Sequence, residues 1–299
     1  MVSAVGVGCN AFGTRIDGEE TRAVVDAALE HGITLFDTAD AYGNGASEEL
    51  LGRALGSRRD EVVIATKFGI AQEGPSHWGA FGGRRYIRAA VEASLRRLGT
   101  DYIDLYQLHR PDPVVPMAET LAALTELVRE GKVRYLGSSN LKAWQVTDAE
   151  WTARTGGSER FVSAQNEYSL YNRSAETELV PACESAGVGL LPYFPLAYGL
   201  LTGKYRRGED APEGTRLADS RQARRIAEAD WDRIEALEAF ARERGVSLLE
   251  LAISGLAALP AVASVISGAT RPEQVAANAS ALRWTPDAAD LAALDEIGS

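Results

Sequence analysis

A chain of 299 residues, 45% of them hydrophobic and 24% charged, is long enough to bury a large core. Its formal net charge of −11 argues against a general nucleic-acid binder, which shows a basic face, and no run approaches the roughly 18 apolar residues of a membrane helix. Cys9 and Cys183 lie far apart with no metal spacing, and the opening stretch MVSAVGVGCNAFG lacks the basic start and long apolar run of a secretion signal, so the chain reads as cytoplasmic, in a reducing compartment.

In chain order, short apolar runs alternate with amphipathic stretches. AVGVGC (4–9) is followed by the helical pattern EETRAVVDAALEHG (19–32) and then by ITLFDTA (33–39) and VVIATKF (62–68). RYIRAAVEASLRRLG (85–99) leads to YIDLYQLH (102–109), and AETLAALTELVREG (118–131) leads to VRYLGSSN (133–140). FVSAQNEYS (161–169), VGLLPYF (188–194) and ASVISG (263–268) complete the strand-like set. The glycine closing each quoted helical pattern suits a helix C-terminal cap. Strands that are apolar on both faces, with helices between them, mean parallel βα units.

Eight such runs predict a closed (β/α)8 TIM barrel rather than an open sheet. No linker or composition shift divides the chain, so residues 1–299 read as a single domain. SLLELAISGLAAL (247–259) starts with a capping box, Ser247 to Glu250, and adds a helix before the eighth strand. The charged, Gly- and Pro-bearing segment 201–230 interrupts the alternation, and loops of that length tend to be functional or mobile.

Barrel chemistry sits at the carboxyl ends of the strands. Strand two ends at Asp37, with Tyr42 in the next loop; strand three ends at Lys67, and strand four at His109. Strand five ends in Ser138, Ser139 and Asn140, strand six carries Gln165 and Asn166, strand seven delivers Tyr193 and Phe194, and strand eight ends at Gly268. Taken singly, each has a bland role: Asp37 as a turn cap, Lys67 as a surface lysine, Tyr42 as loop packing, His109 as a strand end. Together they make an acid site. Asp37 would hold Lys67 charged, Lys67 would lower the pKa of the Tyr42 phenol, and Tyr42 would protonate an oxygen gaining negative charge, with His109 orienting it. That is carbonyl reduction, and its hydride must come from a cofactor.

At this point the sequence resembles the aldo-keto reductase superfamily over nearly its whole length. GITLFDTADAYGNGASEELLGRAL, VVIATKFG, SLRRLGTDYIDLYQLHRPDP, GKVRYLGSSNL, QNEYSL, YFPLAYGLLTGKY and ISGATRPEQVAANASA carry the likeness. The resemblance implies a barrel binding NADP(H) across its mouth, a small carbonyl substrate and a catalytic tetrad at Asp37, Tyr42, Lys67 and His109. It further implies that Ser139, Asn140 and Gln165 bind the nicotinamide carboxamide and that Tyr193 stacks on the ring. Phe194, Leu196, Gly199, Leu200 and Lys204 fall where the family wraps the pyrophosphate. Gly268, Arg271, Gln274 and Asn278 match the adenosine-phosphate segment, and Arg15 sits near an amino-terminal cofactor contact.

The start of that last segment also has its own physics. Thr270 and Glu273 form a capping-box pattern with Pro272 in the first turn, so a helix amino terminus and Arg271 would face an anion. Trp78 and Phe81, in the segment after strand three, are candidate walls of the substrate pocket. Two other readings stand beside this one. GVGCNA (6–11) fits a dinucleotide fingerprint of a doubly wound dehydrogenase, but no helix begins inside it. A regulatory subunit that binds cofactor with little chemistry, of the kind some superfamily members form on ion channels, would carry the same residues. A metal-dependent hydrolase fits worse, since His31, His77 and His109 show no ligand spacing.

Overall fold

The computed structural model describes residues 2–70, 80–219 and 222–298. Eight parallel strands, β1 (Val5–Gly8), β2 (Leu35–Asp37), β3 (Val63–Phe68), β4 (Ile103–Leu108), β5 (Val133–Ser139), β6 (Phe161–Gln165), β7 (Gly189–Leu190) and β8 (Val265–Gly268), lie side by side in the order β7-β6-β5-β4-β3-β2-β1-β8. The two ends of that order meet. Ile266 N–H donates to Pro192 O (2.9 Å) and Ala263 N–H to Leu190 O (2.8 Å), and isolated parallel bridges join Leu190 to Val262 and Tyr193 to Ile266. The fold is a (β/α)8 barrel. β7 is much shorter than its apolar run, because Pro192 has no N–H to give the ladder and pairing beyond Leu190 thins to single bridges.

The helices are α1 (Gly18–Glu30), α2 (Ala46–Leu55), α3 (Arg84–Leu98), α4 (Met117–Arg129), α5 (Ala143–Gly156), α6 (Ala175–Ala186), α7 (Arg224–Ala227), α8 (Trp231–Glu243), α9 (Leu248–Ala257), α10 (Pro272–Ser280) and α11 (Ala288–Gly298). In α3 the buried set Tyr86, Ile87, Val91, Ser94, Leu95 and Leu98 follows the helical period and packs one face on the sheet. Gly99 then takes φ 65° and closes the helix, a left-handed cap that costs glycine nothing sterically. The Ser247–Glu250 capping box at α9 forms as the sequence predicts.

Most apolar side chains lie between the sheet and the helices. A second, small cluster of Leu35, Ala65, Leu105, Leu191 and Ile266 fills the inside of the barrel. Stepping two residues along a strand keeps the same face and moves one layer up the barrel. From Leu35 that step reaches Asp37, from Ala65 it reaches Lys67, and from Leu105 it reaches Gln107. The apolar layer thus carries a polar layer above it, at the carboxyl ends. A 3-10 turn at Ala197–Thr202 leads into segment 201–230, which, where described, forms a further 3-10 turn at Arg216–Ala218 and the one-turn α7.

Candidate active site

Lys67 is fully buried, and its Nζ donates to Asp37 Oδ2 (2.6 Å), Thr38 O (2.9 Å) and Tyr42 Oη (3.2 Å). Gln107 and Gln165 donate their Nε2 groups to the other carboxylate oxygen, Asp37 Oδ1, at 3.1 and 2.7 Å. The His109 ring stands edge-on to Tyr42, with centroids 5.9 Å apart and planes at 83°. The four tetrad positions from β2, β3, β4 and the loop after β2 therefore meet in one place. Gln107, which the strand reading passed over, belongs with them. Its signal was available: it is two residues before His109 on the same face of β4 and in register with Lys67.

Burial pulls the Lys67 pKa down, but Asp37 and Tyr42 beside it more than offset that, and the net shift is upward. The ammonium is charged throughout the physiological range. For Tyr42 the balance runs against the sequence expectation. Burial raises the phenol pKa, Lys67 only partly offsets it, and Asp37 adds to the rise, so the net direction is up. Tyr42 is a fully loaded proton donor rather than a pre-ionised phenol.

His109 is pushed down to about 3, chiefly by burial and further by Lys67 and Arg110, so its ring is neutral. Its Nδ1 is buried with no hydrogen-bond partner. A folded pKa below the ordinary 6.5 means that the unfolded chain takes up a proton between pH 6.5 and about 3 that the native chain does not. This site therefore loses stability as pH falls through that window, by about 1.4 kcal/mol per pH unit. Urea unfolding of His109→Gln at pH 7 and pH 5 should show a smaller acid loss than the parent, and an equal loss would remove His109 from the acid response.

Around this centre the amides are already engaged. Asn140, at φ 60°, donates from Nδ2 to His109 O (2.9 Å) and Ser139 Oγ (3.0 Å) and accepts from Tyr193 Oη (2.8 Å). Ser139 Oγ donates to Gln165 O (2.9 Å). These bonds tie the ends of β4, β5 and β6 together. Gln165 Oε1 takes no donor among the described residues.

Beyond β7 the strap Phe194–Gly199 holds left-handed backbone at Phe194 (φ 56°), Ala197 (φ 45°), Tyr198 (φ 60°) and Gly199 (φ 104°). Leu200 is buried, Leu196 is half-buried, and Lys204 reaches over the Tyr205 ring. Two arginines missed in the sequence reading cover the strap. The Arg216 guanidinium lies 5.2 Å from both the Phe194 and Tyr198 rings, and that of Arg225 lies 3.5 Å from the Tyr198 ring. Arg216 is half-buried and has no carboxylate partner among the described residues; burial and the nearby Arg15 push its pKa down. A partly desolvated cation with a second cation beside it and no carboxylate partner could hold an anion.

At α10 the capping differs from expectation. Arg271 is the N-cap, with extended backbone and no side-chain cap bond, and Pro272 opens the helix. Thr270 donates from N–H (2.8 Å) and Oγ1 (3.1 Å) to Gln274 Oε1, not to Glu273. With the N-cap one residue later, Gln274 rather than Glu273 is placed to reach back. Arg271 and Gly268 are exposed and Asn278 is buried. Phe81 packs edge-on against Tyr86, 5.0 Å between centroids, which favours loop packing over a pocket wall, and Trp78 lies outside the described residues. A cleft of about 900 Å³ lies away from the tetrad, between Glu167, Arg173, Tyr198 and Arg233; Arg173 there is spent on Glu176 and Asp295.

A tetrad of this kind at the mouth of a (β/α)8 barrel defines a class, and sequence comparison agrees. The model described as the aldo/keto reductase family matches residues 4–299, and the chain belongs to that family, whose members are oxidoreductases of carbonyl compounds. Among its relatives is a probable voltage-gated potassium channel subunit beta of Oryza sativa subsp. japonica, 36% identical over 92% of this chain and 85% of its own length. Versiconal hemiacetal acetate reductase of Aspergillus parasiticus is 36% identical over 85% of this chain and 81% of its own. L-glyceraldehyde 3-phosphate reductase of Escherichia coli O157:H7 is 35% identical over 93% and 83%.

Proposed function

We propose that the chain reduces an aldehyde or ketone to the alcohol with NADPH, Tyr42 acting as general acid. The observation that carries this is the buried cluster in which one ammonium touches both the Asp37 carboxylate and the Tyr42 phenol. Asp37 keeps Lys67 charged. Lys67 stabilises negative charge as it grows on the Tyr42 oxygen during proton donation. Neutral His109, at the edge of the Tyr42 ring, orients the carbonyl oxygen beside it. When bound, the nicotinamide supplies the hydride.

The residues present fit that cofactor. Arg216, half-buried without a carboxylate partner among the described residues and with Arg15 nearby, suits the pyrophosphate, and Lys204 lies beside Gly199 of the strap. Gln165 Oε1 is the acceptor available to a carboxamide, and Tyr193, bonded to Asn140 Oδ1 through its hydroxyl, supplies an aromatic face for the ring. Ser139 and Asn140 keep the strand ends in place around them. Arg271 at the N-cap of α10, Gln274 and Asn278 within that helix and Gly268 before it face the adenosine end.

A 2′-phosphate is the only difference between NADPH and NADH, and it needs donors. Arg271 and the Glu273 N–H in the first turn of α10, where Pro272 has none and Gln274 N–H is bonded to Arg271 O, supply them. Hydrogen bonds to charged groups are worth roughly 1.5–3 kcal/mol, so Arg271→Ala should weaken NADPH binding by about ten- to a hundredfold. NADH binding should barely move. Paired fluorescence titrations decide this, and an equal loss for both cofactors would show that Arg271 only supports the loop.

The relatives named as channel subunits favour a second reading, a cofactor-binding regulatory subunit. No helix among the described residues is long and apolar enough to cross a membrane, so such a role would mean docking on another protein. Steady-state oxidation of NADPH with a simple aldehyde separates the two, and absence of turnover would favour the subunit.

A further inference from the structure

Tyr42 sits at the head of an awkward turn. Gly43 (φ 57°), Asn44 (φ 55°) and Gly45 (φ 92°) are three successive left-handed residues, and α2 begins immediately after them. Glycine adopts such backbone freely and asparagine tolerates it, so the local chain does little to fix this turn and its place is set by what packs around it. The first turn of α2 is pinned from two sides. Ser47 Oγ donates to Cys9 O (2.8 Å) and bonds Thr38 Oγ1 (2.8 Å), which fixes it to the ends of β1 and β2. Glu48 is completely buried; it accepts from Thr66 Oγ1 (2.5 Å) and from Arg97 Nε of α3 (2.6 Å).

Thr66 immediately precedes Lys67 on β3. One carboxylate therefore references both members of the Lys67–Tyr42 contact: the strand that carries the lysine and the helix that ends the tyrosine turn. The Arg97 stem also lies directly on that turn. A Cβ at Gly45 would stand 2.6 Å from Arg97 Cδ and 2.9 Å from its Nε, so only glycine lets the arginine pass. A second buried acid, Asp40, lies two residues before Tyr42. Asp40 and Glu48 both act on the buried phenol of Tyr106, and Arg97 is the cation that offsets them there.

We infer that Arg97, which touches no reacting group, is a positioning residue for Tyr42: its ion pair with the buried Glu48 fixes the turn that holds the phenol against Lys67. The inference rests on the reading of Tyr42 as proton donor. Without Arg97, Glu48 keeps only Thr66 and is left as an uncompensated buried charge, which strongly destabilises its site. It then takes up a proton or draws water into the first turn of α2, and the Tyr42 turn moves with it. If instead the pair only glues α2 to α3, chemistry at each folded site will be unaffected.

The test uses the full chain, NADPH and benzaldehyde as a probe, with single-turnover rates divided by the sites that NADPH fluorescence titrates. Arg97→Met should slow reduction per folded site by about tenfold or more, since misplacing a reacting group by an ångström costs up to about a hundredfold. NADPH affinity should stay within about twofold, because lost positioning of the acid lowers kcat rather than cofactor binding. The alkaline limb of the pH–rate profile should also move. That limb reports Tyr42, which is faced by Lys67 from β3, Asp37 from β2 and Cys9 after β1, with the His109 ring at its edge. Arg97→Lys, which keeps the charge, should recover most of the rate.

If Arg97→Met fails to fold, the double variant Glu48→Gln/Arg97→Met decides, because Glu48 is then no longer a buried charge left without its cation. It too should be slow per site with a displaced limb. An unchanged rate per site and an unmoved limb, in whichever variant folds, would overturn the inference. Tyr42→Phe measured alongside keeps the two levels apart. If it retains turnover, the assignment of Tyr42 as the acid fails; if it is inactive while Arg97→Met is normal, only the role of Arg97 fails.

Discussion

Tyr42→Phe is expected to cut turnover more than a hundredfold while leaving NADPH affinity nearly unchanged. General acid catalysis contributes about 10²–10⁴-fold, and the substitution removes one oxygen from a half-buried ring without disturbing its packing. Lys67 keeps Asp37 and Thr38 O as partners in the variant, so the buried charge stays satisfied and the fold should hold. The upward net shift of the Tyr42 pKa adds a pH prediction. An acid with a raised pKa stays loaded to higher pH, so wild-type kcat should hold level through neutrality and fall only on the alkaline side, above the ordinary tyrosine value of about 10. Steady-state kinetics of both proteins from pH 6 upward check this, and a variant that keeps most of its turnover would remove Tyr42 from the role.

Why the barrel was legible in the sequence, and parts of the site were not, has a physical basis. Strands buried on both faces must be apolar throughout, so a polar residue at the end of such a run stands out. Asp37, Lys67 and His109 were found in that way. Gln107 was not, because it lies inside its run, and only the register with Lys67 shows that it faces the same layer. Arg216 and Arg225 were missed because segment 201–230 has no period from which a fold could be read, although its length pointed to function. Two local rules failed, each for its own reason. The Thr270–Glu273 box yields to Gln274 because Arg271 stays extended and moves the helix start. The Tyr42 pKa goes up instead of down because proximity to a cation is readable from strand order, while the depth of burial that outweighs it depends on the whole packed barrel.

Lys67→Met should combine a catalytic loss of the same order with a loss of stability, and the second distinguishes it from Tyr42→Phe. The ammonium is wholly buried, and Asp37 is nearly so. Removing one member of such a pair leaves an uncompensated carboxylate, which typically costs about 3–5 kcal/mol. Gln107 and Gln165 still donate to Asp37 Oδ1, so the loss should lie toward the lower end of that range. The sign of the pH dependence follows from the net upward shift of Lys67. A cation whose folded pKa exceeds its unfolded value of about 10.5 contributes stability that is fully present below that value and is lost as pH rises through the folded one. Wild type should therefore lose stability on the alkaline side, and Lys67→Met should lose less there because it has no such proton to release. In the kinetics, the methionine variant lacks the charge that partly offsets the raised Tyr42 pKa, so its alkaline limb should move further up. Urea unfolding at pH 7 and pH 11, with pH–rate profiles of both proteins, reads all of this. A variant as stable as wild type at pH 7, with an unmoved alkaline limb, would show that Lys67 neither holds Asp37 nor acts on Tyr42.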